Sequence, residues 1–178
     1  MHRRPQILII ALILILFADS SAQKTVRASA DVQTSTADES IAIVVNQENT
    51  VENLAMKDLR SIFLGERSHW PNGRRITLVM MEPGQIERKA ILRDIYRMNE
   101  TDFSRHFLQG LFTGEVFVSP KTLASPVGVR KFIFNVPGAI GYVRASDVDP
   151  TVKVVRIDGH LPEDRDYELR LQPHTGTK

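Results

Sequence analysis

The polar residues best placed for chemistry in this sequence lie where strands pass into helices. Asn46 ends an apolar run, Gly84-Gln85-Ile86 follow another, and Ser125 precedes a proline that begins a helix. The first turn of a helix has free backbone N–H groups and the positive end of the helix dipole, so an anion can bind there. Ligands of open α/β sheets lie outside the carboxyl ends of the strands. We therefore expect Asn46, Gly84, Gln85, Ile86 and Ser125 to form a ligand-binding edge; the simpler interpretation is that they are only caps and turns.

Residues for enzymatic or metal chemistry show no such grouping. The five histidines have no metal-ligand spacing, and no HExxH motif is present. The chain has no cysteine and no G-x-S-x-G nucleophile motif. Asp147 and Asp149 share a turn, where solvated loop charges explain them best. The sequence thus predicts a protein that is not an enzyme and uses no cofactor or metal, and a hydrolase has no support.

Apolar runs and turn residues predict the elements that position these groups. Predicted strands cover residues 41–46, 76–81, 139–143 and 152–157, with one short strand at 167–171; predicted helices cover 54–64, 85–97, 101–113 and 126–136. Strands that alternate with helices indicate an α/β sheet with helices on both faces, in one layered domain.

The chain ends differ from this middle part. A basic head, twelve apolar residues and Ser20-Ser21-Ala22 predict a signal peptide, 1–22, cleaved after Ala22, and a periplasmic location. A membrane anchor is the alternative, but the apolar run is shorter than the roughly 20 residues that a bilayer requires. Residues 23–40 predict a flexible tether because they contain little apolar surface. The α/β domain is assigned to 41–158, and 159–178 is interpreted as a polar tail.

Charge gives no indication of a nucleic-acid partner. After removal of the signal, 21 Lys and Arg residues face 20 Asp and Glu residues. Nucleic-acid binding needs a clustered basic face, which this composition does not supply. The predicted partners are therefore small molecules or proteins, and the oligomeric state stays open.

Several motifs resemble the phosphate-type periplasmic solute-binding proteins. They are the strand Ile41–Asn46, the helix end Ile62-Phe63-Leu64-Gly65 with Trp70 after it, and Pro137-Gly-Ala-Ile-Gly-Tyr-Val143. The order and spacing of the helix end and the Pro137 segment are the specific part of this resemblance. It implies one three-layer α/β/α lobe of the type II periplasmic-binding-protein fold. It also implies a solute-binding role beside a membrane permease, with phosphate or another small anion bound weakly.

Two departures from that family suggest a different role. Its members have two lobes, and this sequence has material for one. Its Ser-Gly-Thr phosphate segment should fall near Glu82 to Glu87, where the residues read Glu-Pro-Gly-Gln-Ile-Glu. Hydroxyl donors are missing there, and two carboxylates repel an anion. The alternative is an envelope accessory protein that keeps the fold and has lost the ligand.

A partner-binding surface would need exposed apolar groups. Phe112, Phe117 and Val118 lie in a turn region between two predicted elements. They either form a contact surface for a membrane or envelope protein, or for a second copy, or fill the core beneath a long loop. The second interpretation is the expectation from sequence, because large apolar side chains are usually buried.

Overall fold

A computed structural model describes residues 40–117 and 119–172. The predicted signal peptide and all of the predicted tether except Ser40 lie outside these residues, as do Val118 and residues 173–178. Seven strands are described: β1 (Ile41–Asn46), β2 (Asn53–Leu54), β3 (Thr77–Met81), β4 (Lys121–Leu123), β5 (Ala139–Arg144), β6 (Val152–Val154) and β7 (Arg156–Ile157). The helices are α1 (Met56–Phe63), α2 (Ile86–Ile91), α3 (Glu100–Thr113) and α4 (Pro126–Asn135), and α2 continues into a π-helical segment, Leu92–Tyr96.

Five strands form the main sheet in the order β4-β3-β5-β1-β6. β3 runs parallel to both β4 and β5, whereas β1 runs antiparallel to its neighbours β5 and β6. β2 and β7 form a separate two-stranded parallel sheet. The predicted strand 152–157 is therefore two short strands, one in each sheet, and the sequence analysis missed β2 and β4.

Helices cover both faces of the main sheet. Every residue of β1 is buried, which requires a layer on each side because successive side chains of a strand point to opposite faces. On β5, Gly141 lies against Ile133 of α4, and the next residue, Tyr142, lies against Phe63 of α1. The predicted α/β/α layering is thus confirmed.

Gly138 allows the loop before β3 to approach the start of β5. A Cβ on Gly138 would overlap the carbonyl oxygen of Arg75, so a larger residue would push the two segments apart. Trp70 closes this corner, because its indole Nε1 donates to the Gly138 carbonyl oxygen at 3.0 Å. The glycine and tryptophan of the recognised motifs therefore shape the fold.

The predicted boundary at residue 158 cuts through the core. Tyr167 and Leu169 are buried, and the Ile41 amide donates to the Leu169 carbonyl oxygen at 2.9 Å. The Tyr167 hydroxyl donates to the Ile41 carbonyl oxygen at 2.7 Å, and burial raises the pKa of this phenol. Arg170 reaches back to the Ser40 hydroxyl at 3.1 Å. The segment described as a polar tail is thus packed as far as Leu171.

Asn46 joins the end of β1 to the end of α4. Its Nδ2 donates to the carbonyl oxygens of Ile133 and Phe134 at 2.8 and 2.7 Å, and its Oδ1 accepts from the Glu48 amide at 2.9 Å. The last carbonyls of a helix have no partner within the helix. The buried Asn46 side chain supplies those partners, so its role in this position is structural.

We predict that a chain ending at Asp158 is far less stable than one ending at Gln172. The shorter chain loses two large core side chains, each worth about 2 to 5 kcal/mol, from a domain whose whole stability is about 5 to 15 kcal/mol. Urea denaturation followed by circular dichroism measures the difference. Equal midpoints for the two chains would show that residues 159–172 are dispensable.

Replacement of Asn46 by aspartate keeps the shape but places a carboxylate against two carbonyl oxygens. We expect Asn46→Asp to lower the free energy of unfolding at pH 7 by about 3 kcal/mol. Since the protonated acid can donate to one carbonyl, the folded state raises the pKa of the introduced carboxyl. The variant should therefore approach wild type as the pH falls through that raised pKa and below the pKa of the unfolded chain.

The control for this experiment is Asn72→Asp. Asn72 is exposed and accepts the Arg74 amide at 3.1 Å, which an aspartate also does. The control variant should match wild type at every pH. If Asn46→Asp behaves like the control, the contacts at the end of α4 do not stabilise the fold.

Candidate functional site

One edge of the main sheet collects the ends of three parallel strands. β3, β4 and β5 all point the same way, so Met81, Leu123 and Arg144 end at this edge. The Glu82 amide donates to the Leu123 carbonyl oxygen at 3.1 Å and ties two of these ends together. α2 begins after β3 and α4 begins after β4, which places two helix starts at this edge. We call it the ligand edge.

Four of the five predicted site residues belong to the ligand edge. Gly84, Gln85, Ile86 and Ser125 are all exposed. Gly84 has φ 95°, a left-handed conformation that lets the chain reverse before α2. Gln85 precedes α2 in an extended conformation, and its side chain does not cap the helix. The Ser125 hydroxyl accepts the Gly128 amide at 3.1 Å, so it caps α4.

The fifth predicted residue, Asn46, lies at the opposite edge. In the register of β1 and β5, Ile41 faces Arg144 and Val45 faces Ile140. Asn46 therefore lies beside the start of β5, while the ligand edge lies beside its end. The prediction that Asn46 shares an edge with the others is wrong because it assumed a parallel β1.

The main charged group of the ligand edge is an ion pair that the sequence analysis did not identify. Glu87, in the first turn of α2, accepts a hydrogen bond from Arg144 Nε at the end of β5. The Glu87 side chain is only 6% exposed, although it is at the start of a helix. A carboxylate in the first turn is favoured by the helix dipole. Glu87 thus supplies, from within the chain, the negative charge that this helix start and Arg144 attract.

A second arginine near the ligand edge, Arg88, forms all of the following contacts in the protein interior. Buried Arg88 donates from Nε and Nη2 to the two Glu100 carboxylate oxygens at 2.6 and 2.9 Å, and from Nη1 to the Met81 carbonyl oxygen at 2.8 Å. Its guanidinium lies 4.8 Å from the centre of the Phe103 ring. Burial lowers the pKa of Arg88, but the hydrogen bond and charge of Glu100 outweigh that effect and raise it. Arg88 therefore links β3, α2 and α3.

The sequence gives little indication of the Glu87–Arg144 and Arg88–Glu100 ion pairs. Glu87 was interpreted as a charge that repels an anion, and no spacing rule links it to Arg144, which is 57 residues away. The Glu87–Arg144 pair forms because β3 and β5 run parallel and end together. Knowledge of strand order was therefore needed to predict it.

Two surface grooves lie away from the ligand edge. One of about 600 Å³ runs between the π-helical segment and the start of α3, with Lys89, Arg97 and Met98 among its lining residues. A smaller one of about 290 Å³ lies between Arg97 and Leu169. Neither is lined by any of the predicted site residues.

No metal centre is present in the described part of the chain. Residues 40–117 and 119–172 contain no group of three or more His, Asp or Glu side chains that could hold an ion. A membrane-spanning helix needs about 20 apolar residues. None of the four helices described in those ranges combines that length with that hydropathy.

The fold occurs in several solved structures, although the sequence matches no established family profile. An ABC-type phosphate transport receptor from Vibrio cholerae aligns with a TM-score of 0.58 and 21% identity, over 70% of this chain and 48% of that one. A putative phosphate ABC transporter substrate-binding protein from Clostridium perfringens, solved with bound phosphate, aligns with a TM-score of 0.55 and 22% identity, over 68% and 46%. PstS from Borrelia burgdorferi aligns with a TM-score of 0.53 and 15% identity, over 70% and 49%.

This chain spans about half the length of those three proteins. The alignment therefore corresponds to a part of each, as a single lobe would. At 15 to 22% identity the likeness establishes a shared fold. The chain has the α/β fold of phosphate-transport substrate-binding proteins, as the sequence motifs predicted.

Proposed function

We propose that this protein is an extracytoplasmic accessory module that keeps the fold of a solute-binding lobe and binds a protein partner in place of phosphate. The observation that carries the proposal is the Glu87–Arg144 ion pair at the ligand edge. Glu87, a carboxylate of the chain itself, lies in the first turn of α2, where the helix dipole favours negative charge. This carboxylate already pairs with Arg144, so an external anion would gain less binding free energy there.

Electrostatics oppose phosphate at this edge. The nearly buried Glu87 carboxylate is poorly screened by water, so it repels a second anion more strongly than an exposed carboxylate would. Phosphate would have to displace it from Arg144 and leave a buried charge unpaired, which costs several kcal/mol. Glu82 adds a further exposed carboxylate beside Gly84.

Hydrogen-bond donors for phosphate are also few. Gln85 and Ile86 precede Glu87 where the related family has hydroxyl residues, and the Ser125 hydroxyl is already used as a helix cap. Backbone N–H groups at the two helix starts remain as donors. Phosphate recognition normally combines such groups with cationic or hydroxyl side chains.

An exposed apolar surface supports the partner-binding part of the proposal. Phe112 is 86% exposed and Phe117 is 56% exposed, so the expectation that they fill the core is wrong. Large apolar side chains exposed as a patch mark protein-contact sites. With the predicted signal peptide, these exposed groups favour a membrane permease, another envelope protein or a second copy of the chain as the partner.

A second candidate function is weak binding of a small anion. The observation in its favour is that two helix starts and four of the predicted site residues meet at the exposed ligand edge. Free N–H groups and helix dipoles attract anions there. This candidate predicts measurable phosphate affinity in the wild-type protein, and the proposed function predicts none.

Titration calorimetry with inorganic phosphate separates the two candidates. We expect no binding heat for the wild-type protein up to millimolar phosphate. We expect the double variant Gln85→Ser, Glu87→Thr to give binding heat in that range, at least about tenfold tighter than the limit that wild type sets, because it removes the buried carboxylate and adds two hydroxyl donors.

Glu66→Thr, which removes an exposed carboxylate elsewhere, is the matched control and should not gain binding. Circular dichroism checks that the variants are folded. Micromolar phosphate affinity in wild type would overturn the proposed function. A folded double variant that gains nothing would show that Glu87 is not what prevents binding.

A further inference from the structure

Helix α3 is apolar on two sides. One side packs into the core through Phe103 and Phe107, and the other carries apolar side chains into solvent. The exposed set, which we call the α3 face, contains Leu108 (61% exposed), Leu111 (50%) and Phe112 (86%). Leu111 and Phe112 follow Leu108 by three and four residues, so the three side chains form one stripe on the helix.

Contacts behind the α3 face hold it in one shape. Gly114 ends α3 in a left-handed conformation, and the Val116 amide then donates to the Gly110 carbonyl oxygen at 3.0 Å. A Cβ on Gly110 would overlap Val116, so the chain folds back closely against the helix. The Phe117 amide donates to the Gly65 carbonyl oxygen at 2.8 Å. The face is therefore an ordered surface that a partner can meet without rearranging the backbone.

We infer that the partner of the α3 face is a second copy of this chain, bound through a two-fold axis. The three side chains expose about 400 Å² for each copy, of which Phe112 supplies about half. Two copies would thus bury about 800 Å² from these groups, and the polar groups around the stripe would supply the rest of an interface of about 1,000 Å² or more. The inference rests on the proposed partner-binding function and names its partner.

Charges at the two ends of the α3 face select an antiparallel arrangement. Exposed Arg105 lies one turn before the apolar stripe, and exposed Glu115 lies just after it. An antiparallel pair with its axis at the level of Gly110 places Leu108 of one copy opposite Phe112 of the other. It also brings the end of each face that carries Arg105 near the end of the other that carries Glu115. A parallel pair would place like charges opposite one another, which is unfavourable. Because the face is complementary to itself in the antiparallel orientation, a second copy fits it.

The contacts that Arg105 and Glu115 form within one chain leave both side chains able to pair with a second copy. Arg105 forms an exposed ion pair with Asp102 at 3.1 Å, a type of contact that contributes little to stability. Glu115 has no ion-pair partner within residues 40–117 and 119–172. Both side chains can therefore turn towards a second copy at little cost.

Sedimentation equilibrium of the purified protein over a wide concentration range tests the inference. We expect the mean mass to rise from one copy to two, and Phe112→Glu to weaken dimerisation at least about 30-fold, as for a central interface residue. Phe134→Glu is the control: Phe134 is a phenylalanine on α4, 55% exposed, and its replacement should leave the dimer unchanged. A single-copy mass up to millimolar protein would overturn the inference.

Charge exchange tests the antiparallel arrangement. Arg105→Glu and Glu115→Arg should each weaken the dimer about three- to tenfold, and the double variant should restore it. A double variant weaker than either single one would overturn this register. A dimer that tolerates Phe112→Glu would overturn the surface itself. These outcomes do not involve phosphate, so they are distinguishable from failure of the proposed function.

Discussion

The burial of β1 on both faces and both edges is the constraint on which the other features depend. Six consecutive buried residues need a layer above, a layer below and a hydrogen-bonded neighbour on each side. α4 supplies one layer, while α1 and the π-helical segment supply the other. The antiparallel direction of β1 then places its end, Asn46, under the last turn of α4 and its start beside Leu169. The position of this strand therefore determines where the end of α4, the C-terminal segment and the ligand edge lie.

Local features of the fold could be predicted from sequence because local chemistry determines them. The β-branched run of β1, the left-handed Gly65 after α1 and the Ser125-Pro126 helix start each contain their own signal. The direction of β1 could not be predicted, since a strand buried on both faces has no alternation that marks its neighbours. The packed C-terminal segment did have a signal, namely Tyr167, Leu169 and Leu171 at every second position. That alternation underlies the predicted short strand at 167–171, but the polarity of the segment led to its assignment outside the domain.

The candidate site also has some features that neighbouring residues determine and others that depend on residues far apart in the chain. Helix starts and turns placed Gly84, Gln85, Ile86 and Ser125 correctly at one edge, because these features depend on a few neighbouring residues. The chemistry of that edge depends instead on Glu87 and Arg144, which meet only through the strand order. An internal ion pair neutralises the charge of Arg144 at this edge. Fold and helix starts alone therefore do not establish a ligand here.

Arg88 joins the end of β3, at the ligand edge, to helix α3, which carries the α3 face. Its guanidinium binds Glu100 at the first turn of α3 and packs on Phe103. Phe103 in turn contacts Tyr96 and Phe107, with ring centres 5.0 and 4.7 Å apart, so the buried side of α3 is fixed by the same cluster. Arg88 thus helps to hold the helix that carries the apolar surface. The two ion pairs have different roles: Glu87–Arg144 neutralises charge at the ligand edge, and Arg88–Glu100 fixes the start of α3.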